Sequence, residues 1–317
     1  MDSCSAFSAV RGLRDGELTV NGTIIEDTFA EAFKVWGTRL VVTAPTPYWA
    51  RQAGLASTGF ATSVIGCGCE AGVEAEIKPE ESPDGRPGVS LLFFGGWNDL
   101  AKQLLSRVGQ TIMTCPGTAC YRGISEGGGT VPLGASLRYF GDSFQTSKMI
   151  GGVRYWRIPV MDGEFLVEDK VPLQRAVGGG NFLILGDGYM SVLSAAERAI
   201  TAMRSVRGVI MPFPGGVVRS GSKVGSRYKF LGASSNTSYC PTLRPLVKTE
   251  LPGGVSSVLE VVIDGFGEEE IREAMRVGVT AATGPGIMKI SAGNYGGSLG
   301  PFHFHLRALF EGRANND

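Results

Sequence analysis

The chain has 317 residues, 43% of them hydrophobic, with 47 glycines and 16 prolines; that supplies a sizeable core for two domains of ordinary size and excludes a disordered or low-complexity chain. Thirty basic and thirty acidic residues cancel to zero net charge, so no basic field exists to hold nucleic acid or an anionic membrane. Cys4, Cys67, Cys69, Cys115, Cys120 and Cys240 show no disulfide spacing, and there is no signal-peptide core or eighteen-residue apolar run, which points to a soluble, cytoplasmic chain.

Residues 1–17 are weakly patterned and read as a flexible N-terminal tail, a targeting peptide being the alternative. Leu18 to Val20 and Thr23 to Ile25 then flank Asn21-Gly22, a dipeptide that tolerates positive φ and predicts a tight hairpin. A strand is predicted over Arg39 to Thr43, a helix over Pro47 to Ala56, and a strand over Ala61 to Ile65. Val89 to Phe94 continues as strand, Asp99 to Val108 as helix, and Thr111 to Thr114 as strand. Ser136 to Phe140, and Val153 to Val160 with Glu164 to Val167 across Asp162-Gly163, read as added strands around a lobe boundary near Gly151.

Past that boundary, Asn181 to Leu185 is a predicted strand, Ser191 to Val206 an amphipathic helix, and Val209 the start of a return strand. A long polar loop, Ser226 to Gly254, replaces a short one in the first half, and such loops tend to carry function. Ser257 to Ile263 then leads into Glu268 to Ala282, whose acidic start suits a helix N-terminus.

The two halves repeat each other. The eleven residues Arg107 to Gly117 return as Arg276 to Gly286 with seven identities, and at the same offset of 169 the run Val89 to Phe94 falls on Val258 to Ile263. A second match sets Val64 to Gly72 over Val217 to Gly225. The expected architecture is α+β: a tandem duplication of two ferredoxin-like, split β-α-β lobes with antiparallel sheets, residues 18–150 and 151–317.

Several constellations fail on inspection. Gly215 to Lys223 lacks the lysine placement of a phosphate loop, and Gly178-Gly179-Gly180 precedes its strand rather than following it. Cys67 and Cys69 are replaced by Ser220 and Ser222 in the repeat, and His303 with His305 offers two metal ligands and no third, so no metal site is expected. No Ser-His-Asp arrangement suggests a covalent nucleophile. RNA binding on a ferredoxin-like sheet is disfavoured by the zero charge and the lack of an aromatic strand motif.

Glu260 is the sharpest anomaly, a carboxylate inside Val258 to Ile263 where the first half has Leu91. Either it sits on the solvent face of an edge strand, or it is buried and paired, neutral, or lining a cleft.

Glu26 to Phe33, Thr58 to Ile65, Pro83 to Gly88, Pro212 to Gly216, Ser222 to Ser226, Tyr239 to Thr242 and Ile290 to Gly297 together resemble formylmethanofuran:tetrahydromethanopterin formyltransferases, over about Val20 to Phe310. The resemblance implies direct transfer of a formyl group between N5 of tetrahydromethanopterin and the amine of methanofuran in a ternary complex, with no metal or prosthetic group. It also implies a homo-oligomer. Glu260 matches the strand glutamate the family is thought to use near the reacting centre, which makes it the acid/base candidate. Arg86, with Asp84 in the same loop, and Lys223 are candidates for binding the anionic coenzymes, and Ser220, Asn236, Tyr239 and Asn294 for hydrogen bonds to pterin or oxyanion. Neutral charge and abundant arginine, where archaeal members are acidic, imply a bacterial, methylotroph-type member. Such a member works toward formaldehyde oxidation within a formyltransferase/hydrolase complex, and a mainly structural or coenzyme-binding subunit of that complex is the second reading.

Overall fold

The computed structural model describes residues 11–14 and 16–311. β1 (Arg11–Arg14) pairs antiparallel with β2 (Glu17–Val20), so the tail expected over residues 1–17 gives way to strand at Arg11, while residues 1–10 lie outside the described residues. β3 (Thr23–Ile25) follows across Asn21 and Gly22, at φ 48° and 82°, the positive-φ pair the hairpin turn requires.

β4 (Phe29–Thr43) is three times the length expected for it. α1 (Pro47–Thr58) starts at Thr46, whose hydroxyl accepts a bond from the Trp49 amide at 3.5 Å. The strand expected over Ala61 to Ile65 shrinks to β5 (Thr62–Ser63), and α2 (Val64–Cys67) turns the chain into β6 (Cys69–Ile77). β7 (Gly88–Gly95) is wholly buried, and α3 (Trp97–Arg107) packs over it. No strand forms at Thr111 to Thr114; the helix runs on as a π-helical turn through Ile112. The reason is a stripe of period four, Leu100, Leu104, Val108 and Ile112, all fully buried.

β8 (Ala119–Arg122) and β9 (Gly129–Val131) lead to α4 (Leu133–Leu137), which with a 3-10 turn replaces the strand expected over Ser136 to Phe140. β10 (Thr146–Ile150), β11 (Val153–Val160) and β12 (Gly163–Glu168) form a meander. β13 (Val171–Gly186) is as long as β4 and pairs with it, Gln174 to Gly178 against Phe33 to Gly37. Then come α5 (Tyr189–Met203), β14 (Val209–Ile210), the short hairpin β15 (Lys223–Val224) and β16 (Ala233–Ser234), β17 (Ser257–Gly265), α6 (Glu268–Ala282), β18 (Ile287–Ser291) and β19 (Phe302–His305).

The product is one large mixed sheet carrying helices. It is not purely antiparallel as expected: β12 pairs parallel with β8, and β18 parallel with β3. Each parallel pair joins strands distant in sequence, whose direction no hairpin turn fixes. The two cores are also not divided at residue 150. Ile158, Phe165, Val171 and Leu173 pack with Leu40, Leu91 and Leu104 in the first, whereas Val20, Ile25 and Ala30 pack with Phe182, Val261 and Met275 in the second. β4 and β13 each run through both cores, so the long strands tie the lobes together.

A buried carboxyl pair lies at this junction. Asp264 of β17, fully buried, accepts the Gly179 amide at 2.9 Å, and the carboxyl of Glu70 of β6 lies near enough to act on its charge. Burial first, and then the neighbouring carboxyl, pushes Asp264 well above the usual range. A folded-state value above the unfolded one gives stability that is complete at acid pH and lost as pH rises through the folded value. Thermal melts should therefore show the native chain losing more stability than Asp264→Asn as pH rises above the usual carboxylate range; parallel curves would contradict a raised carboxyl at Asp264.

Candidate active site

β17 sits between β13 and β14, with Glu260 opposite Leu183, and its main chain exchanges two further bonds with Val218. Leu259, Val261 and Ile263 face α5 and α6 in the second core, which turns Val258 and Glu260 to the other side of the sheet. That side is not open to water. Leu251 and Val255, from the end of the long loop and just beyond it, pack on Leu183 and Leu185 of β13, and Glu260 is 3% exposed. The solvent-facing edge strand is thereby excluded.

Glu260 lines a pocket of about 240 Å³ with Asn181, Ser222, Lys223, Val224, Asn236, Gly293, Asn294 and Tyr295. Its Oε1 accepts the Ser222 hydroxyl at 2.5 Å, and Oε2 has no hydrogen-bond partner among the described residues. Burial pushes the carboxyl up to about 7, against hydrogen bonds from the Ser222 side chain and amide that favour its ionised form. A carboxyl at that value exists in both states near neutrality and can give or take a proton.

The surrounding loops are held from behind. Asn181 of β13 accepts the Gly293 amide at 2.6 Å and donates to the carbonyls of Gly179 and Gly293. Gly221, at φ 80°, would place a Cβ 2.7 Å from that of Asn236, so glycine is what lets the two pocket loops meet.

Of the residues singled out from sequence, Glu260, Lys223, Asn236 and Asn294 come together here. Asn294 spends its amide on tying its loop to the start of β4, donating to Thr28 Oγ1 and the Phe29 carbonyl and accepting from Gly296. Tyr239 packs under the site, its hydroxyl 3.2 Å from Ser291 Oγ, and Ser220 is exposed with its hydroxyl on the Gly221 carbonyl. Arg86 and Asp84 are in the first lobe, outside this pocket. Arg86 pairs with Asp84 and donates to Thr43 Oγ1 and the Gly117 carbonyl, while Tyr121 donates to Asp84. Ser222, Tyr295 and Asn181 carried no individual signal in the sequence; the first two stood only inside longer motifs. Among the described residues, no three His, Cys, Asp or Glu side chains are grouped to hold a metal.

A buried carboxyl beside hydroxyls, amides and a lysine is an arrangement suited to an enzyme that moves a proton. Residues 18–160 match the family described as formylmethanofuran-tetrahydromethanopterin formyltransferase, and residues 163–309 its proximal lobe. A formylmethanofuran–tetrahydromethanopterin formyltransferase of Methylococcus capsulatus is 58% identical over 297 residues, 92% of this chain and 99% of its own. The solved formyltransferase/hydrolase complex of Methylorubrum extorquens with methylofuran contains a chain 53% identical, covering 93% of this chain and 99% of that one at a TM-score of 0.90. The Methanosarcina barkeri formyltransferase is 45% identical and covers 92% and 100%, at a TM-score of 0.87. The chain belongs to the formylmethanofuran–tetrahydromethanopterin formyltransferase family.

Proposed function

We propose that this chain transfers a formyl group between N5 of tetrahydromethanopterin and the amine of methanofuran, with both coenzymes bound as substrates and Glu260 as acid and base. The amine nitrogen attacks the formyl carbon, the carbonyl electrons move onto oxygen, and collapse of that oxyanion expels N5, which takes a proton as the amine gives one up. Holding the two nitrogens on one carbon supplies much of the rate. The observation that carries this reading is the single buried carboxyl in the pocket, pushed up to about 7 with one oxygen unpartnered. In this reading Asn236 hydrogen-bonds the pterin or the oxyanion and Lys223 pairs with an anionic group of either coenzyme, which is supported by both lining the pocket.

Alanine at Lys223 is expected to raise one Michaelis constant about tenfold with kcat little changed, as loss of a charge-assisted bond made equally in ground and transition states should. Alanine at Arg86 should instead lower stability by roughly 1–3 kcal/mol through the bonds it makes within the first lobe, and leave both Michaelis constants alone. Steady-state kinetics and urea melts on the two variants separate these roles.

Two further parts of the reading concern architecture. A duplicated ferredoxin-like unit is supported by the agreement of β7 and α3 with β17 and α6 at the repeat offset, with Leu91 standing where the second copy carries Glu260. Assembly into a formyltransferase/hydrolase complex is supported by the Methylorubrum structure, and a cytoplasmic, self-associating chain belongs to the same reading. The purified chain, given formyl-tetrahydromethanopterin and methanofuran, should change the pterin absorbance only when both are present. A change that required added partner subunits would favour the structural-subunit reading instead.

A further inference from the structure

We infer that Ser222 and Tyr295 are positioning residues for Glu260, held in place by the buried carboxylate of Glu31; this rests on Glu260 being the acid and base of the formyl transfer. Glu31 lies on β4, 1% exposed and far in sequence from the pocket loops. Its two oxygens accept four main-chain amides of the loop after β18: Tyr295 at 2.7 Å, Gly297 at 3.0 Å, Leu299 and Gly300. Burial opposes its charge, yet these four donors hold its carboxyl below the usual range. It therefore stays ionised throughout the working pH range and fixes where Tyr295 begins.

From that fixed end the tyrosine reaches across the pocket. Its hydroxyl donates to the Ser222 carbonyl at 3.0 Å and accepts the Val224 amide at 2.9 Å, so one phenol oxygen bridges both sides of Lys223. Pinned in this way, Ser222 delivers its own hydroxyl to Glu260 Oε1. The consequence is chemical. Oε1 is occupied, and Oε2 is the oxygen left to meet a reacting nitrogen or an oxyanion. The serine also favours the ionised carboxyl, which sets where Glu260 titrates. Lys223 and Tyr295 are the other titratable side chains lining the pocket with it, the first from β15 and the second from the loop after β18. Nothing in Ser222 or Tyr295 need touch substrate for this; each acts through Glu260.

The test is the pH dependence of kcat/KM for the native enzyme, Ser222→Ala, Ser222→Thr, Tyr295→Phe and Glu260→Gln, assayed with formyl-tetrahydromethanopterin and methanofuran. Ser222→Ala should lower kcat about tenfold to a hundredfold with Michaelis constants within about twofold, the range of a lost alignment in acid–base catalysis. Its acid limb should move to higher pH, because the bond that favours the carboxylate is gone. Ser222→Thr, which keeps the hydroxyl, should restore both. Tyr295→Phe should shift the limb the same way, and the double variant should be no worse than Ser222→Ala alone, since both sites act along one path. The inference is overturned if the variants lower only the melting temperature and kcat while the acid limb stays at its native pH, or if neither variant changes kcat. Full activity in Glu260→Gln would overturn the acid–base reading itself, a failure visible in that variant and separate from the other two.

Discussion

Glu260→Gln is expected to lower kcat by about two to four orders of magnitude, the usual worth of a positioned acid–base group, while the chain stays folded. The amide keeps the shape and can still accept the Ser222 hydroxyl, so the loss isolates the proton. In the native enzyme kcat/KM should show a limb near the value of about 7 set by burial, and the variant should show none. The same substitution carries a stability signature of opposite sign. A carboxyl raised above its unfolded value contributes fully at acid pH and loses that contribution as pH rises through about 7. Above that point the native protein holds a buried charge, and the glutamine variant should be more stable by roughly 3 kcal/mol. A variant that is inactive and yet more stable at alkaline pH is hard to explain except by a carboxyl placed for chemistry.

The second large effect is expected in the first lobe, at Glu74. Its side chain is 1% exposed and accepts two bonds from Arg39 at 2.7 Å, one from Ser90 at 2.5 Å and one from the Gly208 amide at 2.7 Å. Gly208 directly precedes β14 of the second lobe, so this carboxylate spans the junction. Burial alone would raise its value, but the arginine and the other donors win and hold it below the usual range. Its contribution is present above the unfolded carboxylate range and lost as pH falls. Glu74→Ala leaves Arg39 without its partner and Gly208 without an acceptor, and should destabilise the chain by about 3–5 kcal/mol. Urea unfolding should show it as a lower midpoint at unchanged slope. A loss under about 1 kcal/mol would mean that water or a neighbour replaces the carboxylate.

What the sequence made legible followed from local rules. The Asn21-Gly22 turn, the acidic start of α6 and the apolar runs of β7 and β17 lie where the pattern put them, because each depends on residues a few positions apart. Glu260 was legible for the same reason, as one charge in an apolar strand. Three features were not. The long strands β4 and β13 pair with different partners along their length, so neither shows one period from end to end, and the lobe boundary drawn at residue 150 missed that they thread both cores. The π-helical turn at Ile112 was masked by the β-branched residues around it, although the four-residue spacing from Leu100 was there to read. The positioning of Glu260 depends on contacts between Glu31, Tyr295 and Ser222, separated by as many as 264 residues, for which no single-sequence pattern exists. Arg86 and Asp84 show the converse: a charged pair in a motif loop whose bonds are spent within its own lobe.

The central claim is direct transfer between two bound coenzymes, and initial rates measured with both varied test it most directly. Double-reciprocal lines that intersect, with no formyl group retained on the protein after a single turnover of labelled formyl-tetrahydromethanopterin, are the predicted result. Parallel lines with label left on the chain would mean a covalent formyl-enzyme and would contradict it.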